Sequence, residues 1–166
     1  VVFGQASGFS AAMNLSTLNG SNGFRLDGEV AYDQSGVSVS TAGDVNDDGF
    51  DDVIVGASGT DSNGTWSGSS YVVFGKASGF SAAMDLSSLN GSNGFRLDGD
   101  AAVDSSGGSV SKAGDVNGDG FDDLIVGAYG ASPNGNSSGS SYVVFGQASG
   151  FSATINLSTL NGSNGF

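Results

Sequence analysis

The chain contains no cysteine and no histidine, and only 4 of its 166 residues are lysine or arginine. The absence of cysteine excludes disulfide bonds, thiol nucleophiles and zinc–thiolate sites. With 17 acidic residues the formal net charge is −13. This charge argues against nucleic-acid binding, because proteins use lysine and arginine to displace counterions from phosphates. It argues equally against docking on anionic lipid.

The sequence is instead rich in glycine, with 30 residues, and 37% of its residues are hydrophobic and 10% aromatic. Acidic chains with few aromatic residues can be disordered, but here the apolar residues fall in short β-type runs, which favours a folded protein. No apolar run approaches the ~20 residues that a membrane-spanning helix needs, so no membrane span is expected. We expect bound cations to neutralise part of the negative charge.

The chain repeats itself with a period of 71 residues. Residues 1–71 and 72–142 align without a gap and are identical at 54 positions, and residues 143–166 repeat residues 1–24. Self-similarity at a fixed period is typical of repeat proteins. Because the chain starts and stops inside a period, we interpret it as a fragment of a longer repeat array.

This interpretation divides the chain into three parts. Residues 1–24 would be the C-terminal part of a preceding repeat. Residues 25–95 would be the first complete repeat, with an acidic loop at residues 44–52. Residues 96–166 would be the second repeat, with the equivalent loop at residues 115–123, truncated before its last strand.

Each period contains four β-type segments. In the first period, apolar and polar residues alternate at 36–40 and 94–99, while residues 52–57 and 70–74 are mostly apolar, β-branched or aromatic. Both patterns are typical of strands, and a single helical turn is possible within residues 81–89. Four short strands in every period predict an all-β protein built of four-stranded antiparallel sheets, the signature of β-propeller blades.

An acidic loop precedes the second strand of each unit. Oxygen-bearing side chains occupy positions 1, 3, 5 and 9 of the loop, and glycine occupies position 6. The residues are Asp44, Asn46, Asp48, Asp52 and Gly49 in the first copy, and Asp115, Asn117, Asp119, Asp123 and Gly120 in the second. Such a flexible, all-oxygen loop can wrap a hard cation and favours calcium over magnesium. Extracellular calcium modules bind with dissociation constants of roughly 10⁻⁴–10⁻³ M, so the loop also favours an extracellular location.

Two other interpretations of the loop remain open. EF-hand and dockerin loops use a similar pattern, but they need an acidic ligand at position 12 and a following helix. This chain has Val55 or Val126 at that position, within an apolar β-type run. Asp, Asn and Gly also favour turns that bind no metal, although recurrence of the loop in the same strand context favours a metal site.

The order of these motifs resembles the FG-GAP repeat. The matching stretches are Gly-x-Ser-Val, Ala-Gly-Asp-Val-Asn-x-Asp-Gly-Phe-Asp-Asp, Ile-Val-Gly-Ala and Tyr-Val-Val-Phe-Gly, and each occurs twice. The resemblance implies blades like those of the seven-bladed propeller at the head of integrin α subunits, which also occur in many bacterial surface proteins. Ser35 and Ser106 replace the phenylalanine of the family pattern, and Ser58 and Tyr129 replace its proline. In these departures the chain looks more like the bacterial versions.

The resemblance further implies the ligands of two structural calcium sites. One ion would be held by the side chains of Asp44, Asn46, Asp48 and Asp52 and the backbone carbonyl of Phe50. The other would be held by the side chains of Asp115, Asn117, Asp119 and Asp123 and the backbone carbonyl of Phe121.

We therefore expect a non-catalytic, calcium-binding β-repeat module, extracellular or at the cell surface, that serves cell adhesion or binds a protein or glycan ligand. The alternative is a structural stalk or filament of near-identical, calcium-braced repeats, because 54 identical positions in 71 suit a uniform array. Neighbouring repeats or copies of the chain are expected partners through exposed strand edges. An enzyme is not expected, because nothing places the carboxylate pair of Asp98 and Asp100 in a pocket and no nucleophile–base arrangement is present.

Overall fold

A computed structural model describes residues 1–77, 79–148 and 150–166. Within those ranges the protein is all-β, and no helix there is long and apolar enough to cross a membrane. The strands are β1 (Arg25–Asp27), β2 (Ser38–Gly43), β3 (Asp52–Ala57), β4 (Ser69–Val73), β5 (Ala83–Asp85), β6 (Gly94–Asp98), β7 (Ser106–Gly114), β8 (Asp123–Ala128), β9 (Ser140–Val144) and β10 (Thr154–Asn156). Single turns of 3-10 helix lie at Leu15–Thr17, Leu86–Ser88 and Leu157–Thr159.

The four strands predicted for the first repeat are present and form one sheet. β2, β3, β4 and β6 follow one another in antiparallel order, and the second repeat contributes β7, β8 and β9 as a three-stranded antiparallel sheet. The main difference from prediction is at β2, which continues to Gly43 through an irregularity after Thr41. β6 spans the boundary that was placed between residues 95 and 96.

The all-β prediction is confirmed, but the sheets are mixed rather than purely antiparallel. β10 pairs in parallel with β6, and β5 pairs in parallel with β1. No sheet among the described residues closes on itself, so a propeller is not confirmed. Each parallel pair ties the last strand of one period to a short strand of the next. Sequence reasoning missed these pairs because a three-residue strand carries too little periodicity to detect.

The helical turn predicted within residues 81–89 is present as a single 3-10 turn at Leu86–Ser88, directly after β5. The Asp85 side chain accepts a hydrogen bond from the amide of Ser87 at 2.9 Å and caps this turn. Side-chain oxygens of Asp and Asn are well suited to such amides. The segment thus runs first as a strand and then as a cap-stabilised turn.

The sheet of the first unit has two faces with different partners. Side chains alternate between the faces along each strand, and the register pairs Val55 with Tyr71 and Ile54 with Val72. We define the front face by Val39, Val53, Val55, Tyr71 and Val73, which Leu86 and Leu89 cover in part. We define the rear face by Ala42, Val45, Ile54, Val72, Phe74 and Phe95, which are buried in the main core.

The second unit packs its own front face on the rear face of the first. Leu124, Val126 and Val144 of the second unit are buried in this junction. Phe151 stacks on Phe95 with ring centroids 4.4 Å apart. The same stacking occurs one period earlier, where the rings of Phe80 and Phe24 are 4.2 Å apart. The core of the molecule is therefore a junction between repeats, not the interior of one repeat.

Ile54→Ala and Ile125→Ala make the same change at equivalent positions of the two repeats. Ile54 is fully buried in the junction, whereas Ile125 is 36% exposed. Ile54→Ala should lower the free energy of unfolding by about 2–5 kcal/mol, because it leaves a cavity in packed core. Ile125→Ala should cost less than about half of that, because less apolar surface is buried there. Urea unfolding followed by circular dichroism at low protein concentration measures both, and equal losses would contradict the assignment of the junction.

Candidate metal centre

The two acidic loops connect neighbouring antiparallel strands. Residues 44–51 join β2 to β3, and residues 115–122 join β7 to β8. A strand follows each loop, which excludes the helix-flanked arrangement of EF-hands and dockerins. Gly49 and Gly120 have φ angles of +87° and +96°, a conformation that glycine adopts without a Cβ clash.

In the first loop, two side-chain oxygens converge on one amide. Oδ1 of Asp44 and Oδ1 of Asn46 both accept from the backbone amide of Asp48, at 3.0 and 3.2 Å. Oδ2 of Asp44 accepts from the amide of Gly49 at 2.9 Å. Asp48 in turn accepts from the amide of Phe50 at 3.0 Å and from the side-chain amide of Asn46 at 3.1 Å. The loop therefore curls around its own oxygens and brings positions 1, 3 and 5 together.

The second loop repeats this arrangement. Oδ1 of Asp115 and Oδ1 of Asn117 both accept from the amide of Asp119 at 3.0 Å. Oδ2 of Asp115 accepts from the amide of Gly120, and Oδ1 of Asp119 accepts from the amide of Phe121, each at 3.0 Å. Two loops with the same internal hydrogen bonds indicate that the spacing of these residues dictates the local fold.

The carboxylate at position 9 is buried in both copies and spans two chain segments. Asp52 accepts from the amide of Val45 at 3.0 Å and from the amide of Gly75, beyond the end of β4, at 2.8 Å. Asp123 accepts from the equivalent amides at 2.7 and 2.9 Å. Position 9 therefore ties the acidic loop to the end of the strand that lies two places along the chain.

Burial raises the pKa of Asp52 to about 6, and the carboxylates of Asp48 and Asp44 add to this shift, while the two amide hydrogen bonds oppose it. A raised pKa means that the ionised carboxylate is less stable here than in water. A divalent cation beside these three carboxylates would supply the missing countercharge. The electrostatics of the first loop thus favour a cation.

Most of the predicted donors fit a hard cation. All are oxygens, and positions 1, 3 and 5 are already gathered. Within the described ranges, however, no three acidic, histidine or cysteine side chains lie close enough together to hold a metal by themselves. Asp52 and Asp123 give their oxygens to amides, although each carboxylate oxygen has a second lone pair for an ion. The carbonyls of Phe50 and Phe121 stay a prediction for the remaining ligand.

Asp122, at position 8 of the second loop, joins the two units. Its Oδ2 accepts from the amide of Asp44 at 3.0 Å and from the ammonium group of Lys112 at 2.7 Å. Sequence reasoning missed this contact. A signal was available, because Lys112 is one of the few cations in the chain and replaces Thr41 of the first repeat.

The carboxylate pair considered for acid–base chemistry does not form a paired site. Asp98 is buried, accepts from the hydroxyl of Ser69 at 3.0 Å and is bonded to the guanidinium of Arg96 at 3.1 Å. Asp100 is exposed. The surroundings of Asp98 are those of a structural carboxylate that is satisfied by its neighbours.

The comparisons with known proteins point to one repeat family. The family model described as the FG-GAP repeat matches residues 35–73 and 106–144. Each match runs from the approach to β2 or β7 to the end of β4 or β9, and each contains one acidic loop. A search of curated proteins found no match.

Asp122→Ala should weaken the junction between the units. The change removes hydrogen bonds from an amide and an ammonium group to a carboxylate, and such bonds contribute about 1.5–3 kcal/mol when they are shielded. Both side chains are partly exposed, so we expect a loss of about 1–2 kcal/mol in the free energy of unfolding, measured by urea titration. Asp51→Ala is the matched control, because Asp51 is the exposed equivalent in the first loop, and it should change stability by less than about 0.5 kcal/mol. Equal effects would rule out the bridging role.

Proposed function

The chain contains two FG-GAP repeats, and from this we propose that it is a non-catalytic, calcium-braced β module of an extracellular or cell-surface protein. FG-GAP repeats are typically extracellular adhesion or ligand-binding modules, and they commonly occur in surface proteins. The observation that carries the calcium part of the proposal is the convergence of Asp44, Asn46 and Asp48 oxygens within one loop, repeated 71 residues later.

Calcium would act structurally. Asp44 turns its two side-chain oxygens into the first loop and donates its backbone amide to Asp122 of the second unit. An ion in the first loop would therefore stiffen the same residue that anchors the junction. Metal that binds only the folded state stabilises it by mass action.

We propose that the two units are blades of an FG-GAP propeller of the bacterial surface type, since they pack front face to rear face as successive sheets. The module would present its loops to a protein or glycan ligand, with neighbouring repeats or copies of the chain as structural partners. No catalytic role is proposed, because Asp98 is held by Ser69 and Arg96.

The second candidate is a structural stalk or filament of near-identical repeats. It is favoured by the 54 identical positions in 71, because a binding site built from several blades needs loops that differ. Electron microscopy of the native assembly should show closed discs for the first candidate and long regular threads for the second. Threads would replace the adhesion module with the filament as the proposed function.

Calcium should raise the melting temperature of the chain, and a chelator should lower it. At 100 times the dissociation constant each site adds about 2.7 kcal/mol, and in a domain of this size 1 kcal/mol corresponds to roughly 2–4 °C. We expect an increase of several degrees with 10 mM calcium in differential scanning calorimetry, and a smaller one with equimolar magnesium.

The variant that carries Asp44→Asn and Asp115→Asn should lose most of this increase, because it removes one charged ligand from each loop. A control with Asp47→Asn and Asp51→Asn removes the same number of charges at positions outside the ligand set and should keep it. An unchanged melting temperature in the native sequence would refute calcium binding. Equal losses in both variants would show that the ion acts only through bulk charge.

A further inference from the structure

Equivalent residues of the two units differ sharply in exposure on the rear face. Val45, Ile54 and Phe95 of the first unit are 1%, 0% and 0% exposed, because the second unit covers them. Their equivalents one period later, Val116, Ile125 and Phe166, are 51%, 36% and 60% exposed. The second unit therefore presents in the open the same apolar surface that is the centre of the core in the first unit.

A groove of about 680 Å³ lies on the front face of the first unit. Its apolar walls include Leu15 and Leu18 on one side and Val39, Val53 and Val55 on the other. One period later, the equivalents of these two walls enclose a sheet. Leu86 and Leu89 lie on the front face of the sheet β2–β3–β4, and Val110, Leu124 and Val126 pack on its rear face. The groove thus has the position and lining that a sheet of this repeat occupies.

We propose that the chain associates head to tail, with the sheet β7–β8–β9 of one copy seated in the front-face groove of another copy. The occupant is a second copy of this chain because the internal junction already shows the fit. In that junction Val110 packs on the cluster that contains Ile54. The same contact between copies would bring Val39 of one onto Ile125 of the other.

Polar groups complete the match. Within the chain, Asp122 lies against Gly43 and accepts the amide of Asp44. Asp51 is the exposed equivalent of Asp122, and the space beside Gly114, the equivalent of Gly43, is open. Docking would place the Asp51 carboxylate of one copy at the Asp115 amide of the other, where the chain's own pattern puts a carboxylate.

The docked arrangement requires an exchange of segments. Residues 1–24 of one copy and residues 143–166 of the other would fall in the same place, and these segments are identical at 22 of 24 positions. One segment can replace the other with nearly the same contacts formed as broken, which is the condition under which proteins exchange identical elements at low cost. This surface is a sheet face rather than the strand edges expected from sequence.

Sedimentation velocity of the chain over a range of concentrations tests the proposal, run with calcium and with a chelator. We expect concentration-dependent association that Ile125→Lys weakens at least tenfold. Val103→Lys is the matched control, because Val103 is 59% exposed but lies outside both surfaces, and it should leave association unchanged. A chain that stays monomeric at all concentrations, or equal effects of the two variants, would overturn the proposal.

Cross-linking tests the register independently of any loss of stability in the lysine variant. The chain has no cysteine, so a mixture of the Val39→Cys chain and the Ile125→Cys chain offers one thiol on each surface. A short bis-maleimide should join them into mixed dimers, and should not join the Val39→Cys chain to the Val103→Cys chain. Equal yields would overturn the proposed contact. The inference rests on the packing surfaces and not on calcium, so it can fail or succeed separately from the calcium titration.

Discussion

Burial of one repeat's rear face against the next repeat's front face is the interaction on which the rest of the structure depends. A single four-stranded sheet has two apolar faces here, and its own short loops cannot cover both. Ile54, Val72 and Phe95 reach full burial only because Leu124, Val126 and Phe151 arrive from the following period. Repeats of this kind gain stability from their neighbours rather than from an internal core.

The acidic loops are placed where they can support that junction. Asp44 closes the first loop with its side chain and donates its backbone amide to the second unit. Asp52 connects the loop to the end of β4. A strongly acidic chain gathers several carboxylates at one corner of each unit, and their mutual repulsion is the cost of that arrangement. A bound cation would convert this cost into a brace, which is why the metal and the packing belong to one proposal.

Much of the local structure could be predicted from the sequence. Alternation and β-branched runs located β2, β3, β4 and β6 to within a few residues, because side-chain periodicity follows directly from strand geometry. The spacing of Asp44, Asn46 and Asp48 predicted a curled loop, and the loop is curled. The parallel pairs were not predictable, since β5 and β10 are three residues long and their partners lie a period away. The bridging role of Asp122 was hidden for a similar reason, because its partner amide at Asp44 is 78 residues away in the chain.

The sequence by itself determined the repeat, the all-β class and the internal hydrogen bonds of each acidic loop, because these depend on residues that are close together in the chain. It could not distinguish Ile54 from Ile125, which have nearly the same neighbours in sequence. Only the tertiary structure decided that one is buried and the other is exposed. The physical reason is that burial on these faces is supplied by another repeat, so identical stretches of sequence acquire different environments from what packs against them.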